Sequence, residues 1–439
     1  MAGLISRGCP SAEEQQKNDR HNPLAVAAVL AYLGIYLYLF TQAAQPLGLS
    51  QPLDLAANLG IQIEHVFDDD GNVDSDIYIP FTDRFNNDDE RLILFLGCGL
   101  AFLLAYFLPL PYKQPALSAT SLGILGLLYG LQGICGLLFC HVLTYLILHP
   151  VSRHRLWLAG LPGCLGTLAF HPYATLNAWV LTLALFFTCV SIFVYKFLVR
   201  EILARPKAAR ILRTVTVQSA MITVLAGSIL AAVFTGPWMV TLGILLFFWQ
   251  WQRLILYHID YKDGQIPPDI SLPTYLSIFI TPGQIPNWGW GAGIGQGHVY
   301  TTHNFYGVNK NTLVWLGLRL WTVSLVYLVL GDWLRIHLVH FLRGHGHYVY
   351  WRTSNMACSF GGGESVETST VLLTTLIDLI RMTLLYSGVL HFKVGLWRIC
   401  GYKVDPYYYY PWLSTNLVSL WSRFAFHFRA FLVKTFYYP

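Results

Sequence analysis

Long apolar runs divide this sequence, and they restrict its fold more than any other feature does. The runs are Leu24 to Ala44, Leu92 to Leu110, Leu117 to Leu148, Trp157 to Phe170, Thr175 to Val199, Thr214 to Phe234, Trp238 to Tyr257, Leu313 to Leu330 and Thr370 to Phe392. Most approach the length of about 20 apolar residues that a membrane-spanning helix needs. Charged residues make up only 12% of the chain, about half of the share that is usual in soluble domains. The pattern therefore predicts an all-α, polytopic integral membrane protein with about 9–11 transmembrane or re-entrant helices.

Two segments depart from the simple pattern of one run and one helix. The run from Leu117 to Leu148 is too long for one ordinary span, and Gly130 and Gly133 near its middle predict two short helices packed as a hairpin. Residues 272–297 are apolar but rich in Pro and Gly. Because non-helical backbone at membrane depth must be buried in protein or line a cavity, we expect a re-entrant or interfacial segment there.

Charge predicts the domain organisation and the orientation. Residues 1–22 form a polar arm, and residues 23–439 form a single membrane domain. Residues 47–91 contain eleven acidic residues and two arginines, whereas the segment "KFLVREILARPKAARILR" is rich in Lys and Arg. Because Lys and Arg mark cytoplasmic loops, counting spans back from that segment places the N terminus in the cytoplasm and the acidic loop outside. The count requires the hairpin at Gly130.

Ionisable residues beside the apolar runs are the first candidates for chemistry. In "WQRLILYHIDYKDGQIPPD", Arg253 and Tyr257 share one face of a helix, although charges and aromatic side chains also anchor ordinary span ends. In the last twenty residues, "LWSRFAFHFRAFLVKTFYYP", Arg423 and His427 share a face in the same way, which is typical of an interfacial helix.

Metal and nucleic-acid partners are not expected. The histidines of "LRIHLVHFLRGHGHYVYW" have spacings that could chelate a metal, but Arg335 and Arg343 lie among them and favour a basic juxtamembrane surface. The formal charge of +5 is small for the length of the chain. The lipid bilayer is therefore the one partner that composition predicts.

Three stretches resemble the membrane-bound O-acyltransferase (MBOAT) family, in its alginate-acetylation and D-alanine-transfer branch. The first is "QRLILYHIDYKDGQIPPDISLPTYLSIFITPGQI". The others are "YSGVLHFKVGLWRICGY", which follows the family pattern "FSGYSDIAIGLARLLGF", and "PWLSTNLVSLWSRFAFHFRAFLVKTFYYP", which follows "PYLARSISEFWRRWHITLSRWLRDYLYIP". The N-terminal 250 residues are similar only in being a series of spans.

The resemblance implies an enzyme of the bacterial inner (plasma) membrane. It would move an acetyl-type acyl group from a thioester donor, acyl-CoA or an acyl carrier protein, to a hydroxyl of a cell-envelope polysaccharide or lipid. A histidine would be the general base, and hydrogen-bond donors would stabilise the oxyanion. The residues that the resemblance implies for catalysis are His427, His391 and Arg423, and those for substrate binding are Arg253, Tyr257, Trp421 and Arg398.

Departures from the family pattern keep a second hypothesis open. His391 stands where the family has an aspartate, and Ala425 stands where it has the histidine of "RRWH". His427 follows two residues later, on a different helix face. The family also continues through further spans that carry its catalytic histidine, so the chain resembles a C-terminally truncated member. The alternative is a non-catalytic or split scaffold that works with a second membrane or extracytoplasmic subunit. A transporter is a third hypothesis, which ionisable residues at span ends disfavour.

Overall fold

The structure is a computed structural model, and its described helices belong to two compact units. It describes residues 21–41, 65–67, 73–76, 88–149, 158, 160–170, 251–264, 266–280, 310–350, 353, 356, 366–402, 404, 406, 408, 413–423, 429 and 433. The first unit comprises residues 1–109, 287–292 and 301–430, and the second comprises residues 110–286, 293–300 and 431–439.

Helices dominate the described part of the chain. They are α1 (Pro23–Thr41), α2 (Asp88–Phe107), α3 (Leu110–Leu148), α4 (Leu161–Phe170), α5 (Trp251–Lys262), α6 (Leu272–Phe279), α7 (Lys310–Gly344), α8 (Thr368–Ile399) and α9 (Leu417–Arg423). Two short strands, β1 (His65–Phe67) and β2 (Val73–Asp76), pair in an antiparallel hairpin within the acidic segment. The prediction of a helical protein is thus confirmed, and this hairpin is a small exception to an all-α fold.

Four helices of the first unit surround an aromatic centre. Helix α1 contacts α2 and α7, and α8 contacts α7 and α2. Each helix contributes one buried ring: Tyr36, Phe95, Trp321 and Phe392. The rings of Trp321 and Phe392 stack with centroids 5.0 Å apart, and Tyr36 meets Phe392 edge-on at 4.5 Å. The polar atoms of the centre are satisfied too, because Trp321 Nε1 donates to the carbonyl of Phe392 and Tyr36 Oη donates to that of Trp321.

Glycines bring α7 and α8 into close contact. A Cβ added to Gly317 would lie 2.7 Å from the carbonyl oxygen of Gly395, and one added to Gly388 would lie 2.7 Å from Leu328 Cγ. A Cβ on Gly395 would meet the ring of Trp321. Small residues that let two backbones approach are typical of helix pairs in membranes.

One end of this four-helix arrangement is held together by Tyr106. Its hydroxyl donates to Asn311 Oδ1 at 2.5 Å and accepts from the backbone N–H of Asn22 at 2.7 Å. Lys310 Nζ lies over the ring of Tyr106, 4.6 Å from its centroid. The start of α1, the end of α2 and the start of α7 therefore lie at the same end of the unit.

The segment that follows α7 binds along one face of α8. Thr370 Oγ1 donates to the carbonyl of Tyr348, and Thr374 Oγ1 accepts from the N–H of Tyr350. One turn further, Asp378 Oδ2 accepts from both the N–H and the hydroxyl of Thr353, at 3.0 and 2.6 Å. The three side chains lie four residues apart, so the first half of α8 is a ladder of partners for the backbone of this segment.

Two of the described helices, α7 and α8, are long and apolar enough to cross a membrane, by length and composition alone. Core helices of soluble proteins and signal sequences can pass the same test. Helix α7 continues beyond the predicted Leu313 to Leu330 span through the histidine-rich stretch to Gly344. The larger number of spans remains a prediction, and Thr175 to Val199 and Thr214 to Phe234 lie outside the described residues.

The second unit corrects one prediction. Residues 117–148 belong to the single 39-residue helix α3, which passes through Gly130 and Gly133 and has Pro115 in its first turns. A glycine costs only about 1 kcal/mol relative to alanine within a helix, which is less than the cost of breaking backbone hydrogen bonds in an apolar environment. The two-helix hairpin is therefore wrong. The span count that placed the N terminus in the cytoplasm loses its support with it.

Helices α5 and α6 of the second unit are joined by a short polar turn. Gly264 has a φ of +73°, a conformation that glycine adopts without strain, just after α5 ends. Ser271 then caps α6, because its side chain accepts from the N–H of Thr274 and Pro273 follows at a position that needs no donor. Only the start of the predicted re-entrant segment 272–297 is described, and it is the helix α6.

Candidate functional site

The chain reverses direction at the end of α8. Gly401 has a φ of +98°, and the N–H of Tyr402 donates to the carbonyl of Trp397 at 2.9 Å, as in a Schellman helix end. Arg398 Nε then donates to the carbonyl of Val404 at 2.7 Å. The side chain of Arg398 thus holds the returning backbone against the last turn of α8.

The returning segment reaches His391. The ring of Tyr408 stacks against that of His391 with centroids 6.3 Å apart. His391 lies eight residues before the end of α8 at Ile399, which corresponds to about 12 Å along the helix axis. Tyr402 and Val404, which lie between, are buried. Non-helical backbone therefore runs beside the last two turns of a helix long enough to span a membrane, an arrangement that membrane proteins reserve for protein-buried or cavity-lining segments.

A hydrogen bond determines the tautomer of His391. Its Nδ1 lies 2.6 Å from the carbonyl oxygen of Ser387, one turn earlier on α8. Because a carbonyl oxygen only accepts, Nδ1 carries the proton in this bond. In the neutral ring Nε2 then holds the lone pair and can accept a proton.

The surroundings of His391 are mainly aromatic and apolar. The residue is 7% exposed, and Tyr327 of α7 meets its ring edge-on at 5.6 Å. Lys393, two residues later on α8, is also buried. An oriented, buried imidazole of this kind can take a proton from a hydroxyl or a thiol and return it later.

The structure relates the other predicted residues of the first unit to this site in different ways. Arg398 lies on the same face of α8, two turns beyond His391, and its bond to Val404 shows a structural role. Trp421 and Arg423 lie on the short helix α9, where Trp421 is 52% exposed and Arg423 is half-buried. His427 lies outside the described residues. The substrate contacts of these residues remain predictions.

Tyr257 lies in a second cluster, in the second unit. Its hydroxyl is 2.7 Å from Nε2 of His149, and both residues are buried. Arg253 lies one turn before Tyr257 on α5. Tyr275 of α6 packs against Tyr257 with ring centroids 5.3 Å apart. Burial raises the pKa of Tyr275 well above its ordinary value, and the nearby Tyr257 raises it further, so Tyr275 stays a neutral phenol.

Sequence reasoning missed the contribution of α3 to this cluster. His141, Tyr145 and His149 recur every four residues and form one stripe, and all three are buried. The pattern H-x3-Y-x3-H within an apolar run was the available signal, since histidines inside such runs are functional candidates by default.

Among the residues that the structure describes, no group of three His, Cys, Asp or Glu side chains is placed to hold a metal ion. Comparisons of the chain with protein-family models, with curated proteins and with solved structures gave no significant match. The resemblance to the acyltransferase family therefore rests on the three stretches quoted above.

Proposed function

We propose that this protein is a membrane-embedded O-acyltransferase of the MBOAT type, with His391 as its general base. The observation that carries the proposal is the oriented imidazole of His391, with Nδ1 bound to Ser387 and Nε2 left to accept a proton. His391 also lies inside "YSGVLHFKVGLWRICGY", one of the stretches that resemble the family. The proposed base thus lies within a stretch that resembles the family, at a position where the family has an aspartate.

In the proposed reaction, Nε2 of His391 takes the proton of the acceptor hydroxyl while the oxygen attacks the thioester carbonyl carbon of acyl-CoA or an acyl carrier protein. The tetrahedral intermediate collapses with cleavage of the C–S bond. The proton then passes from the imidazolium to the thiolate, which leaves as a thiol. Acid–base catalysis of this kind contributes about 10²–10⁴-fold in rate. The proposed product is an acetyl-type ester on a cell-envelope polysaccharide or lipid.

The apolar exposure of α7 and α8 supports a polytopic membrane protein. Large apolar side chains are exposed on both helices: Trp315, Leu316, Val326, Leu330, Trp333 and Phe341 on α7, and Leu372, Leu376, Leu379 and Ile380 on α8. In a bilayer, lipid acyl chains would cover these side chains. In water, their exposed apolar surface would cost about 25 cal/mol per Å². We propose the bacterial inner membrane as the setting.

The segments on either side of α1 support a cytoplasmic N terminus independently of the span count. The arm that enters α1 contains three Lys or Arg residues, and Lys310 of α7 lies at the same end of the unit. The segment 42–87, which joins the opposite ends of α1 and α2, contains one. By the positive-inside rule, the arm and segment 42–87 favour a cytoplasmic end at Tyr106, whereas Arg335 and Arg343, toward the other end of α7, favour the opposite orientation.

The test compares the same substitution at two histidines. In His391→Asn, the amide N–H can still donate to the Ser387 carbonyl, but no base remains. In His337→Asn, an exposed histidine of α7 is changed. Transfer of radiolabelled acetyl groups from acetyl-CoA to alkali-labile esters is measured in membranes that contain each variant. We expect a loss of 10²-fold or more for His391→Asn and none for His337→Asn. Equal activity of the two variants would exclude His391 as the base.

A non-catalytic scaffold or subunit is the second candidate function. Ala425 at the position of the family's "RRWH" histidine and His391 at that of its aspartate favour it. Under this hypothesis, the wild-type protein transfers no label when it is purified free of other proteins. A second membrane or extracytoplasmic subunit co-purifies with it under milder conditions, and adding that subunit back restores transfer. Transfer by the purified chain alone would rule it out.

A further inference from the structure

Three helices of the second unit direct polar aromatic side chains toward one another. Helix α3 provides the stripe of His141, Tyr145 and His149, α5 provides Tyr257, and α6 provides Tyr275. The ring of Tyr275 is the common neighbour, with centroids 5.2 Å from Tyr145, 5.3 Å from Tyr257, 6.2 Å from His141 and 6.0 Å from His149. Tyr275 therefore lies at the centre of the cluster.

The hydroxyl of Tyr275 differs from those of its two tyrosine neighbours. Tyr145 Oη donates to the carbonyl of Ile270 at 2.7 Å, and Tyr257 Oη is bonded to Nε2 of His149. Tyr275 is 0% exposed, and within the described part of the chain its hydroxyl has no hydrogen-bond partner. A buried hydroxyl without a partner destabilises a fold, and phenylalanine would supply the same ring without that cost.

The chemistry of the cluster restricts what the hydroxyl can bind. A neutral phenol needs an acceptor for its proton, and an oxygen lone pair is the commonest acceptor in proteins and their ligands. The surrounding rings of Tyr145, Tyr257 and Phe279 offer an environment of low polarity, in which an ionised partner would be costly. A neutral oxygen therefore fits this hydroxyl best.

We propose that Tyr275 marks a buried binding site in which its hydroxyl donates a hydrogen bond to a neutral oxygen, provided either by a water molecule or by the carbonyl group of an ester or thioester ligand. This site lies in the second unit and does not depend on the function proposed for His391. Water is the usual partner of buried polar groups that the protein leaves unsatisfied, and a carbonyl oxygen makes the same bond.

The experiment uses the sign of a stability change. The full-length chain is purified in detergent micelles as wild type, Tyr275→Phe and Tyr145→Phe, and the midpoint of thermal unfolding is measured for each. Phenylalanine keeps the ring and its packing against Phe279, so the variants retain the fold. We expect Tyr275→Phe to lower the midpoint as Tyr145→Phe does, because both lose a hydrogen bond. A midpoint for Tyr275→Phe equal to or above that of the wild type would overturn the proposal.

A second arm distinguishes the two sources of the oxygen. Ethyl acetate is added to the wild type and to Tyr275→Phe as a probe that carries an ester carbonyl. A rise of the midpoint in the wild type alone identifies a carbonyl ligand, since only the protein that binds it is stabilised. The partner is water if ethyl acetate changes the midpoint equally in both proteins while Tyr275→Phe remains less stable than the wild type.

Discussion

Arg398 binds the carbonyl oxygen of Val404 through Nε at 2.7 Å, and Arg343 binds that of Val349 through Nε at 2.9 Å. Both pairs follow the sequence R-x-x-G-x-x-V, as "RGHGHYV" at the end of α7 and "RICGYKV" at the end of α8. In both, the glycine has a positive φ. The two longest helices of the first unit thus end in the same way, with an arginine that redirects the chain back along the bundle.

Arg398→Lys tests the importance of this bond for the site. Lysine keeps the charge but lacks the planar guanidinium that reaches the carbonyl from Nε. We expect a loss of about 1.5–3 kcal/mol in the free energy of unfolding, as is usual for hydrogen bonds that involve a charged group. Denaturant unfolding in detergent micelles measures it. Arg319→Lys, at an exposed position of α7, is the control and should change little. Equal stability of the two variants would mean that the bond to Val404 contributes nothing.

The close packing of α7 and α8 predicts opposite effects for two Gly→Ala variants. In Gly317→Ala, the new methyl would lie 2.7 Å from a backbone oxygen of α8, so the helices must separate. We expect this to cost about 1–3 kcal/mol. In Gly34→Ala on α1, the methyl meets nothing within 4 Å, and the better helix propensity of alanine should stabilise by up to about 1 kcal/mol. Unfolding midpoints of the two variants are compared with the wild type. A stabilising Gly317→Ala would contradict the close approach.

Asp378 is expected to hold the segment after α7 in place. Its carboxylate accepts two hydrogen bonds from Thr353 and lies 3.4 Å from Arg381 Nη1, and both charged residues are buried. Asp378→Asn removes a counter-charge that lies 3.4 Å from a buried arginine, and breaking a buried ion pair costs about 3 kcal/mol or more. The amide of Asn has one acceptor oxygen, which can face Thr353 or Arg381 but not both, so the bonds to Thr353 should weaken. Chymotrypsin should then cleave faster near Tyr348 and Tyr350, in the same segment.

Glu367→Gln is the matched control for Asp378→Asn. Glu367 precedes α8, is exposed, and makes no side-chain hydrogen bond to the helix start. The same loss of a carboxylate should leave both stability and the cleavage rate near those of the wild type. If Asp378→Asn is cleaved no faster than Glu367→Gln, the ladder on α8 does not hold this segment.

For four of the apolar runs the sequence was sufficient to predict a helix, but it did not predict how those helices contact one another. The apolar runs at Leu24, Leu92, Leu313 and Thr370 correspond to α1, α2, α7 and α8, because apolar length and helix formation are local properties. Gly130 and Gly133 were misleading, because a glycine weakens a helix without ending it.

The candidate site was predictable in part. His391 could be found from an ionisable residue inside an apolar run and from the family pattern, and the structure adds its partners Ser387 and Tyr408. Tyr408 could not be assigned to His391 from sequence, since their contact depends on the turn at Gly401. The pairing of Tyr257 with His149 could not be predicted from sequence either, because the two residues lie 108 positions apart.

Cys400 lies at the turn that begins the returning segment, and its burial predicts how the reactivity of its thiol depends on pH. The residue is 1% exposed, and burial raises the pKa of its thiol well above the ordinary value. Because only the thiolate is nucleophilic, Cys400 should stay unmodified by N-ethylmaleimide between about pH 7 and pH 9, a range in which ordinary thiols ionise. Mass spectrometry of the peptide that contains Cys400 measures the modification, and denaturation in SDS should make the residue reactive.

The same pKa shift has a consequence for stability, with a defined sign. Below the pKa of the unfolded thiol, near pH 8.5, Cys400 is protonated in both states and adds no pH dependence. Above it, the unfolded chain ionises while the folded chain does not, so the unfolding midpoint should fall as pH rises. In Cys400→Ala, the part of this fall that belongs to Cys400 disappears. Two results would contradict this. Either the wild type loses no more stability than Cys400→Ala above about pH 9, or Cys400 is modified in the folded state. Each would show that the turn opens to solvent and does not hold the returning segment against α8.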